Sequence, residues 1–218
     1  MAAYSHKRVP EPTLKRLPSY LQFLKKAKDK GLLTITAPHM GRELKCDPTQ
    51  VVKDLSAAGA KGKPRIGYNI YEVIQDIESF LGFDQPNEAF LVGAGNLGAA
   101  LISYPDFQEY GLNIIAAFDN DPDKIGRSGD RINVIHMDKF CDMAKRLHIR
   151  IAILTTPASV AQEVADQLVK CGIKAIWNLT PARLHLPEDI AIQNTSMYSN
   201  VAILLKKLEN IGNANTIQ

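Results

Sequence analysis

Three glycines and a carboxylate carry the most legible chemistry in this sequence. Gly93, Gly95 and Gly98 form a G-x-G-x-x-G run directly after the apolar stretch Ala89 to Val92 and directly before Ala99, Ala100, Leu101 and Ile102. The first glycine lets a chain leave a strand in a tight turn, the second lets backbone approach a pyrophosphate, and the third lets the following helix pack close to the strand. A helix starting there, through Asn96 and Leu97, offers free N–H groups and partial positive charge to phosphates. A second apolar run, Asn113 to Phe118, ends at Asp119, 21 residues beyond Gly98. That is close to the ≈20 residues expected of an acid that accepts from an adenosine ribose hydroxyl. A carboxylate there repels a 2′-phosphate, so the pattern points to NAD(H) over NADP(H), and Arg127 stands too far along to reverse that. The alternative is a glycine turn in an α/β fold that binds nothing. Strand, turn, helix and acid in the required order favour binding.

The elements that must position this site follow in alternation. Short strands are expected at Val134-Ile135, Arg150 to Leu154, Ala175 to Trp177 and Ile190 to Gln193, with helices over Lys139 to Leu147 and Ser159 to Cys171. Strands alternating with helices predict a parallel sheet, whose ligands sit at the carboxyl ends of the strands. That places Thr155, Thr156, Asn178 and Thr180 on the rim beside the glycine turn. Asn178 suits a bond to a carboxamide or an ordered water, or equally a role in capping its own turn. A last helix begins near Thr195 or Ser196 with Val201, Leu204, Leu205 and Leu208 on one face. It docks on its own core or on a partner subunit.

The 218 residues are 45% apolar and 22% charged, the balance of a soluble globular chain with room for one large or two small domains. No stretch reaches the ≈20 apolar residues of a membrane span, and the first residues lack the apolar core of a signal peptide. Cys46, Cys141 and Cys171 follow no metal-ligand spacing and read as thiols in a reducing cytosol. The expectations are therefore a cytoplasmic protein, no membrane and no metal. Charge is uneven. Residues 1–80 carry 14 Lys and Arg against 8 Asp and Glu, and the remainder 12 against 15. A basic N-terminal part suits a polyanion.

Residues 1–11 are polar and expected to be mobile. Leu14, Leu17, Leu21 and Leu24 then make a helical stripe that Pro18 either starts or bends, decorated by Lys15 and Arg16. Thr36 caps a second helix, expected over Met40 to Lys45, and Asp47 or Thr49 starts a third, which carries Gln50 and Lys53 beside Val51, Val52 and Leu55. Two short helices joined by a tight turn fit a helix-turn-helix or a generic bundle. The basic, glycine-rich segment Gly59 to Tyr68 reads as a hairpin with Lys61, Lys63 and Arg65 near its tip, which makes the whole a winged helix. Tyr71 to Leu81 is an amphipathic helix, and the Gly82 to Asn87 stretch is a domain boundary. The expected division is a winged-helix domain over 1–84, a Rossmann-like domain over 85–193 and a C-terminal helix over 194–218.

Taken together, the chain resembles the Rex family of redox-sensing transcriptional repressors over nearly its full length. The resemblance rests on Thr13-Leu-Lys-Arg-Leu-Pro-Ser-Tyr20, Gln50-Val-Val-Lys-Asp-Leu-Ser56, Gly67-Tyr68-Asn69 and Val92-Gly-Ala-Gly-Asn-Leu-Gly98. It continues through Ala117-Phe-Asp-Asn-Asp-Pro-Asp-Lys-Ile-Gly126, Ala152-Ile-Leu-Thr-Thr-Pro-Ala158 and Gly172-Ile-Lys-Ala-Ile-Trp-Asn-Leu-Thr-Pro-Ala-Arg-Leu184. It implies a homodimer with a swapped C-terminal helix that binds inverted-repeat operator DNA, is released by NADH, and is permitted to bind by NAD⁺. It implies that Gly93, Gly95, Asn96, Leu97 and Gly98 cradle the pyrophosphate and that Asp119, with Asn120 and Lys124 in its turn, meets the adenosine ribose. Thr155, Thr156 and Pro157 would line the cleft, with Asn178, Thr180, Pro181 and Tyr104 near the nicotinamide. Lys15, Arg16, Gln50, Lys53, Ser56, Lys61, Lys63, Arg65 and Tyr68 would face double-stranded DNA.

The departures are local. The family's recognition helix usually has an arginine where this chain has Val52, and Tyr-Phe where it has Ala57-Ala58. The wing's usual Arg-Gly is Pro64-Arg65, and an Arg–Asp latch between domains becomes Gln22 and Ser196. A NAD(H)-sensing relative with altered or lost operator recognition is therefore a second reading. A dehydrogenase is a third. It needs an acid or base beside the nicotinamide, and His136, His148 and His185 have no evident partner, so no catalytic residue is assigned.

Overall fold

A computed structural model describes residues 9–126, 128–129 and 132–214. Residues 1–8 of the expected mobile extension, and Arg127, lie outside the described residues. The chain divides into two compact units, Met1–Gln85 and Pro86–Gln218.

The first unit is built on α1 (Glu11–Asp29), which starts two residues before Thr13 and runs through Pro18. Leu17, Tyr20, Leu21 and Leu24 are its buried face. Next come β1 (Thr34–Ile35), α2 (Ala37–Leu44) and α3 (Pro48–Ala57). Thr36 caps α2 by accepting from the His39 N–H, and Asp47 caps α3 by accepting from the Thr49 and Gln50 N–H groups. Each such cap typically contributes about 1 kcal/mol. The strand β2 (Tyr68–Asn69) pairs antiparallel with β1, and Asn69 then caps α4 (Ile70–Leu81). Met40, Val51, Leu55, Ile70, Val73 and Ile77 complete one core with the α1 stripe.

The second unit is a sheet in the order β5-β6-β4-β3-β7-β8-β9. Its strands are β3 (Asn87–Val92), β4 (Leu112–Asp119), β5 (Ser128–Gly129), β6 (Ile132–His136), β7 (Ile151–Leu154), β8 (Ala175–Asn178) and β9 (Ala191–Asn194). Six strands are parallel, and β5, absent from the sequence reading, pairs antiparallel at the edge. Counted within this unit, the parallel strands follow the 3-2-1-4-5-6 order of a doubly wound sheet, with its switch point between β3 and β7. Helices α5 (Asn96–Ile102), α6 (Phe140–Arg146) and α7 (Ala161–Lys170) connect them. Phe140 packs edge to face on Phe90 and Phe118, which are tilted against each other, with ring centroids 4.8 to 5.5 Å apart.

One expectation is corrected here, and one open alternative is narrowed. Cys141 on α6 and Cys171 after α7 form a disulfide, with Cα atoms 4.8 Å apart, so only Cys46 is free. Their separation of 30 positions carries no spacing signal, and only the packing brings the pair together. The helix α8 (Met197–Ala214) leaves its apolar residues exposed, and Leu204 is 65% exposed. The alternative in which its stripe docks on this chain's own core is not what the fold shows. No described helix is long and apolar enough to cross a membrane.

Candidate cofactor site and nucleic-acid interface

The glycine turn lies at the switch point of the sheet. Gly93 leaves β3 at φ +104, and a Cβ there would stand 2.8 Å from the Thr155 backbone at the end of β7. A Cβ on Gly98 would meet the Gly93 carbonyl oxygen, so both positions admit only glycine without a backbone shift. Gly95, the N-cap of α5, is different. A Cβ there would meet nothing within 4 Å, which leaves open space in front of the turn.

Asp119 ends β4 with its carboxylate turned to the same loop. Its Oδ2 accepts from the Ala94 N–H at 2.8 Å and from Lys124 Nζ at 3.1 Å, and its Oδ1 accepts from the Asp121 N–H at 3.0 Å. Burial pushes the carboxyl up, but the bonds from Asp121, Lys124 and Ala94 outweigh it and hold the group below the usual carboxylate range. Lys124, paired with both Asp119 and Asp121, is pushed up. It thus helps keep the Asp119 carboxylate charged. Asn120 lies in the bend between them.

A cavity of about 390 Å³ adjoins the turn, lined by Leu97, Thr155, Thr156, Thr180 and Pro181 from the sequence reading. Thr155 Oγ1 donates to the Val92 and Gly93 carbonyls, tying β7 to the glycine turn. Thr156 Oγ1 is buried with no hydrogen-bond partner among the described residues. An orphaned hydroxyl in a cavity wall costs stability unless a ligand satisfies it. The residues present therefore fit a dinucleotide.

Sequence reasoning missed the other wall, formed by Leu179 just after β8 and by Thr195, Ser196, Met197, Tyr198 and Val201 around the start of α8. Their one sequence signal was the helix start at Thr195-Ser196. The nicotinamide-side assignments fare differently. Asn178 is 1% exposed, and its amide donates to the Ala182 carbonyl and Asn194 Oδ1 while its oxygen accepts from the Thr180 N–H and Oγ1. Its hydrogen-bonding capacity is filled, so it positions the Thr180 turn, and the expectation of a bond to a carboxamide is corrected. Tyr104 and Pro157 do not line the cavity. Tyr104 packs on Phe107, which packs on Trp177, whose indole N–H donates to Thr195 in the cavity wall. His136, His148 and His185 do not line it either.

In the first unit, five hydrogen bonds converge on one carboxylate. Asp54, 1% exposed on α3, accepts from Thr13 Oγ1, Arg16 Nε and Nη2, Tyr20 Oη and Gln50 Nε2 at 2.7 to 2.9 Å. Burial raises the carboxyl, but the bonds from Arg16, Gln50, Thr13 and Tyr20 prevail and hold it at about 2. The same knot raises Arg16, through its bond to Asp54, and Tyr20, through burial first. Arg16 is thereby committed to fixing α3 against α1, and Gln50 to a bond along α3 itself. Lys15 pairs with Glu11 on the surface.

The residues left facing solvent are Lys53 and Ser56 on α3, with Val52 beside them, and Lys61, Lys63 and Arg65 on the wing. None of the four cations is closed in a salt bridge among the described residues. Tyr68 is corrected. Alternation along β2 turns it into the core and Asn69 out, so its ring packs under the wing close to Gly62. At the tip, Lys63 and Gly67 exchange both backbone hydrogen bonds around Pro64, Arg65 and Ile66. Arg65 sits at φ +65, a left-handed conformation that costs a non-glycine residue about 1–2 kcal/mol.

Comparison with known proteins covers both units. Residues 8–56 match a family described as "Putative DNA-binding protein N-terminus", and residues 84–182 match the CoA binding domain family. The redox-sensing transcriptional repressor Rex of Bacteroides thetaiotaomicron is 41% identical over 201 residues, 92% of this chain and 91% of that one. The repressor of the same name from Treponema denticola is 44% identical over 193 residues, 88% of this chain and 92% of its own. Among solved structures, RSP in complex with β-NAD⁺ and operator DNA superposes with a TM-score of 0.89 at 29% identity, covering 96% of each chain. RSP in complex with β-NADH gives 0.86 at 28% identity, covering 97% of this chain and all of that one.

Proposed function

The chain belongs to the Rex family of redox-sensing transcriptional repressors, and from that premise we propose that it binds inverted-repeat operator DNA as a homodimer and is released when NADH is bound. The observation that carries the reading is the pairing, on one chain, of a dinucleotide turn with its acid and a helix-turn-helix with unpaired cations. The backbone from Gly93 to Gly98 takes the pyrophosphate. Asp119, kept ionised by Lys124, accepts from the adenosine ribose hydroxyls. Thr156 Oγ1 donates to or accepts from the bound molecule and loses its orphan status. The bound nicotinamide supplies a ring whose charge differs between the oxidised and reduced forms. The first turn of α8 forms a wall of the same cavity, so the helix that carries the exposed apolar row is in reach of that difference.

That row, Val201, Leu204, Leu205 and Leu208, is the dimerisation surface. The functional division is a winged helix over 1–84, an NAD(H) domain over 85–193 and a dimerisation helix over 194–218, in a cytoplasmic protein with no catalytic residue. A second reading is favoured by Val52, which is 44% exposed on the outward face of α3 where an arginine reads DNA in the family. This reading keeps NAD(H) sensing but changes the operator.

Fluorescence anisotropy of a labelled family-type inverted repeat, at stated salt because phosphate contacts make affinity salt-dependent, tests both. Specific binding abolished by NADH and spared by NAD⁺ is expected. NADH binding without preference over random duplex would replace the first reading with the second.

A further inference from the structure

The bridge between Cys141 and Cys171 does not line the cavity, yet it encloses one of the cavity's walls. Cys141 stands in the first turn of α6 and is exposed. Cys171 caps α7, is 4% exposed, and belongs to the core that includes Phe140, Ala144 and Leu168. Their Cα atoms, 4.8 Å apart, lie within the range that a disulfide spans without backbone movement. The segment they close contains β7, the rim residues Thr155 and Thr156, and the whole of α7. From that segment Thr155 Oγ1 reaches the Val92 and Gly93 carbonyls, and the orphaned Thr156 hydroxyl belongs to it as well. A cross-link at the two ends therefore restrains the backbone that presents this rim.

Compartment and access make the bridge conditional. A protein that binds operator DNA works where DNA is held, and there small thiols open a disulfide unless an oxidant renews it. The two sulfurs also differ in access. An exposed thiol meets an oxidant first, and a buried neighbour resolves the product. Lys145, one turn beyond Cys141 on α6, adds positive charge that favours the thiolate. We propose that Cys141 and Cys171 form a reversible thiol switch, closed by hydrogen peroxide and opened by small thiols, that sets the affinity of the neighbouring cavity for NADH. The Cys141 thiolate attacks one peroxide oxygen and forms an S–O bond as the O–O bond breaks, leaving a sulfenic acid. The departing hydroxide takes up the proton that the thiol released and becomes water. The Cys171 sulfur then attacks the Cys141 sulfur, gives up its proton, and displaces the hydroxyl as a second water. The two thiols lose two electrons, and the peroxide gains them. Reopening consumes two small thiols, which leave as their own disulfide. The closed form holds the rim in place, so NADH has less ordering to supply and binds more tightly. The proposal rests on the reading that the cavity takes NAD(H) in an operator-binding repressor.

The test is a titration of the fully reduced, full-length chain with hydrogen peroxide. Free thiols should fall from three to one per chain, with Cys46 remaining and one peptide linking Cys141 to Cys171 in mass spectrometry. The melting temperature followed by Trp177 fluorescence should rise by about 10 °C. NADH affinity in calorimetry should tighten about threefold to tenfold. Excess reduced glutathione should reverse each change. Cys141→Ser and Cys171→Ala should bind NADH as the reduced protein does and should ignore peroxide. Thiols that stay free under peroxide, a bridge that glutathione cannot open, or a bridge that opens and closes at constant NADH affinity would each overturn the proposal. A peroxide-responsive NADH affinity in a chain that enriches no duplex from a randomised pool would support the switch and overturn the operator reading. Absence of NADH binding in both states would overturn the cavity assignment and the switch together.

Discussion

Asp54 and Thr156 are both buried polar groups, and their surroundings are opposite. Asp54 receives five hydrogen bonds from four residues, three of them on α1. Thr156 Oγ1 receives none. The first arrangement suits a region whose task is to hold α3 rigidly while the outer faces of α3 and the wing stay free. The second suits a region whose task is completed by a molecule that comes and goes. A satisfied carboxylate stabilises the fold, whereas an unsatisfied hydroxyl costs stability until something binds. In this chain rigidity and receptivity are thus assigned to different units. The same contrast separates Gly98, whose hydrogen faces protein backbone, from Gly95, whose hydrogen faces open space.

Removing the Asp54 carboxylate should give the largest effect. Asp54→Ala strands Arg16 and the buried Tyr20 hydroxyl, and the first unit should lose about 3–5 kcal/mol in denaturant titration followed by hydrogen exchange. The fluorescence of Trp177, the single tryptophan and a residue of the second unit, should keep its midpoint. A loss under about 1 kcal/mol would place the knot with ordinary surface pairs and break the comparison.

The two glycines sharpen it next. Gly98→Ala should lower both the melting temperature and NADH affinity, because overpacking against the Gly93 carbonyl costs about 1–3 kcal/mol. Gly95→Ala should bind NADH roughly tenfold to a hundredfold more weakly at unchanged melting temperature. Calorimetry and thermal unfolding on the same two samples separate these outcomes. A melting temperature lowered as far in Gly95→Ala as in Gly98→Ala would refute the distinction.

Acid should act in the same sense as Asp54→Ala, more gently. The folded Asp54 carboxyl lies at about 2, below its unfolded value near 4. Its contribution is therefore full above about pH 4 and is lost as pH falls toward 2, amounting to about 2 kcal/mol in the first unit. Asp119 is depressed in the same direction and adds to acid sensitivity in the second. Asp54→Asn, which cannot titrate, should flatten the first unit's stability profile across that window.

The smallest effect is expected at the orphaned hydroxyl. Thr156→Val keeps the shape and removes the donor, so NADH affinity should fall about fivefold, the worth of about 1 kcal/mol. Stability of the unliganded protein should hold or rise. A fall in stability would mean that the hydroxyl is satisfied in the free protein.

Most of the cofactor turn was legible from residue order, because its requirements are local. A positive φ at Gly93 and the close approach at Gly98 are demands on neighbouring backbone, and Asp119 follows from the length of one helix and one strand. Helix caps at Thr36 and Asp47 were legible for the same reason. The wing was legible through its glycines and cations, but the inward turn of Tyr68 was not. A two-residue strand gives alternation no length over which to declare itself.

By itself, the sequence determined the type and order of the elements, the α/β class with its N-terminal winged helix, and the dinucleotide motif. Periodicity, capping and glycine backbone freedom act over a few residues and leave their mark in order. Tertiary structure alone decided which polar groups are committed and which remain available. Arg16 reaches Asp54 across 38 residues, Asn178 fills its bonds with partners up to 16 residues away, and Thr156 is left with no partner. Cys141 meets Cys171 across 30 residues, and the start of α8 closes a cavity begun at Leu97. Such partnerships depend on where distant segments arrive in space, and for these pairs no spacing in the chain encodes that arrival.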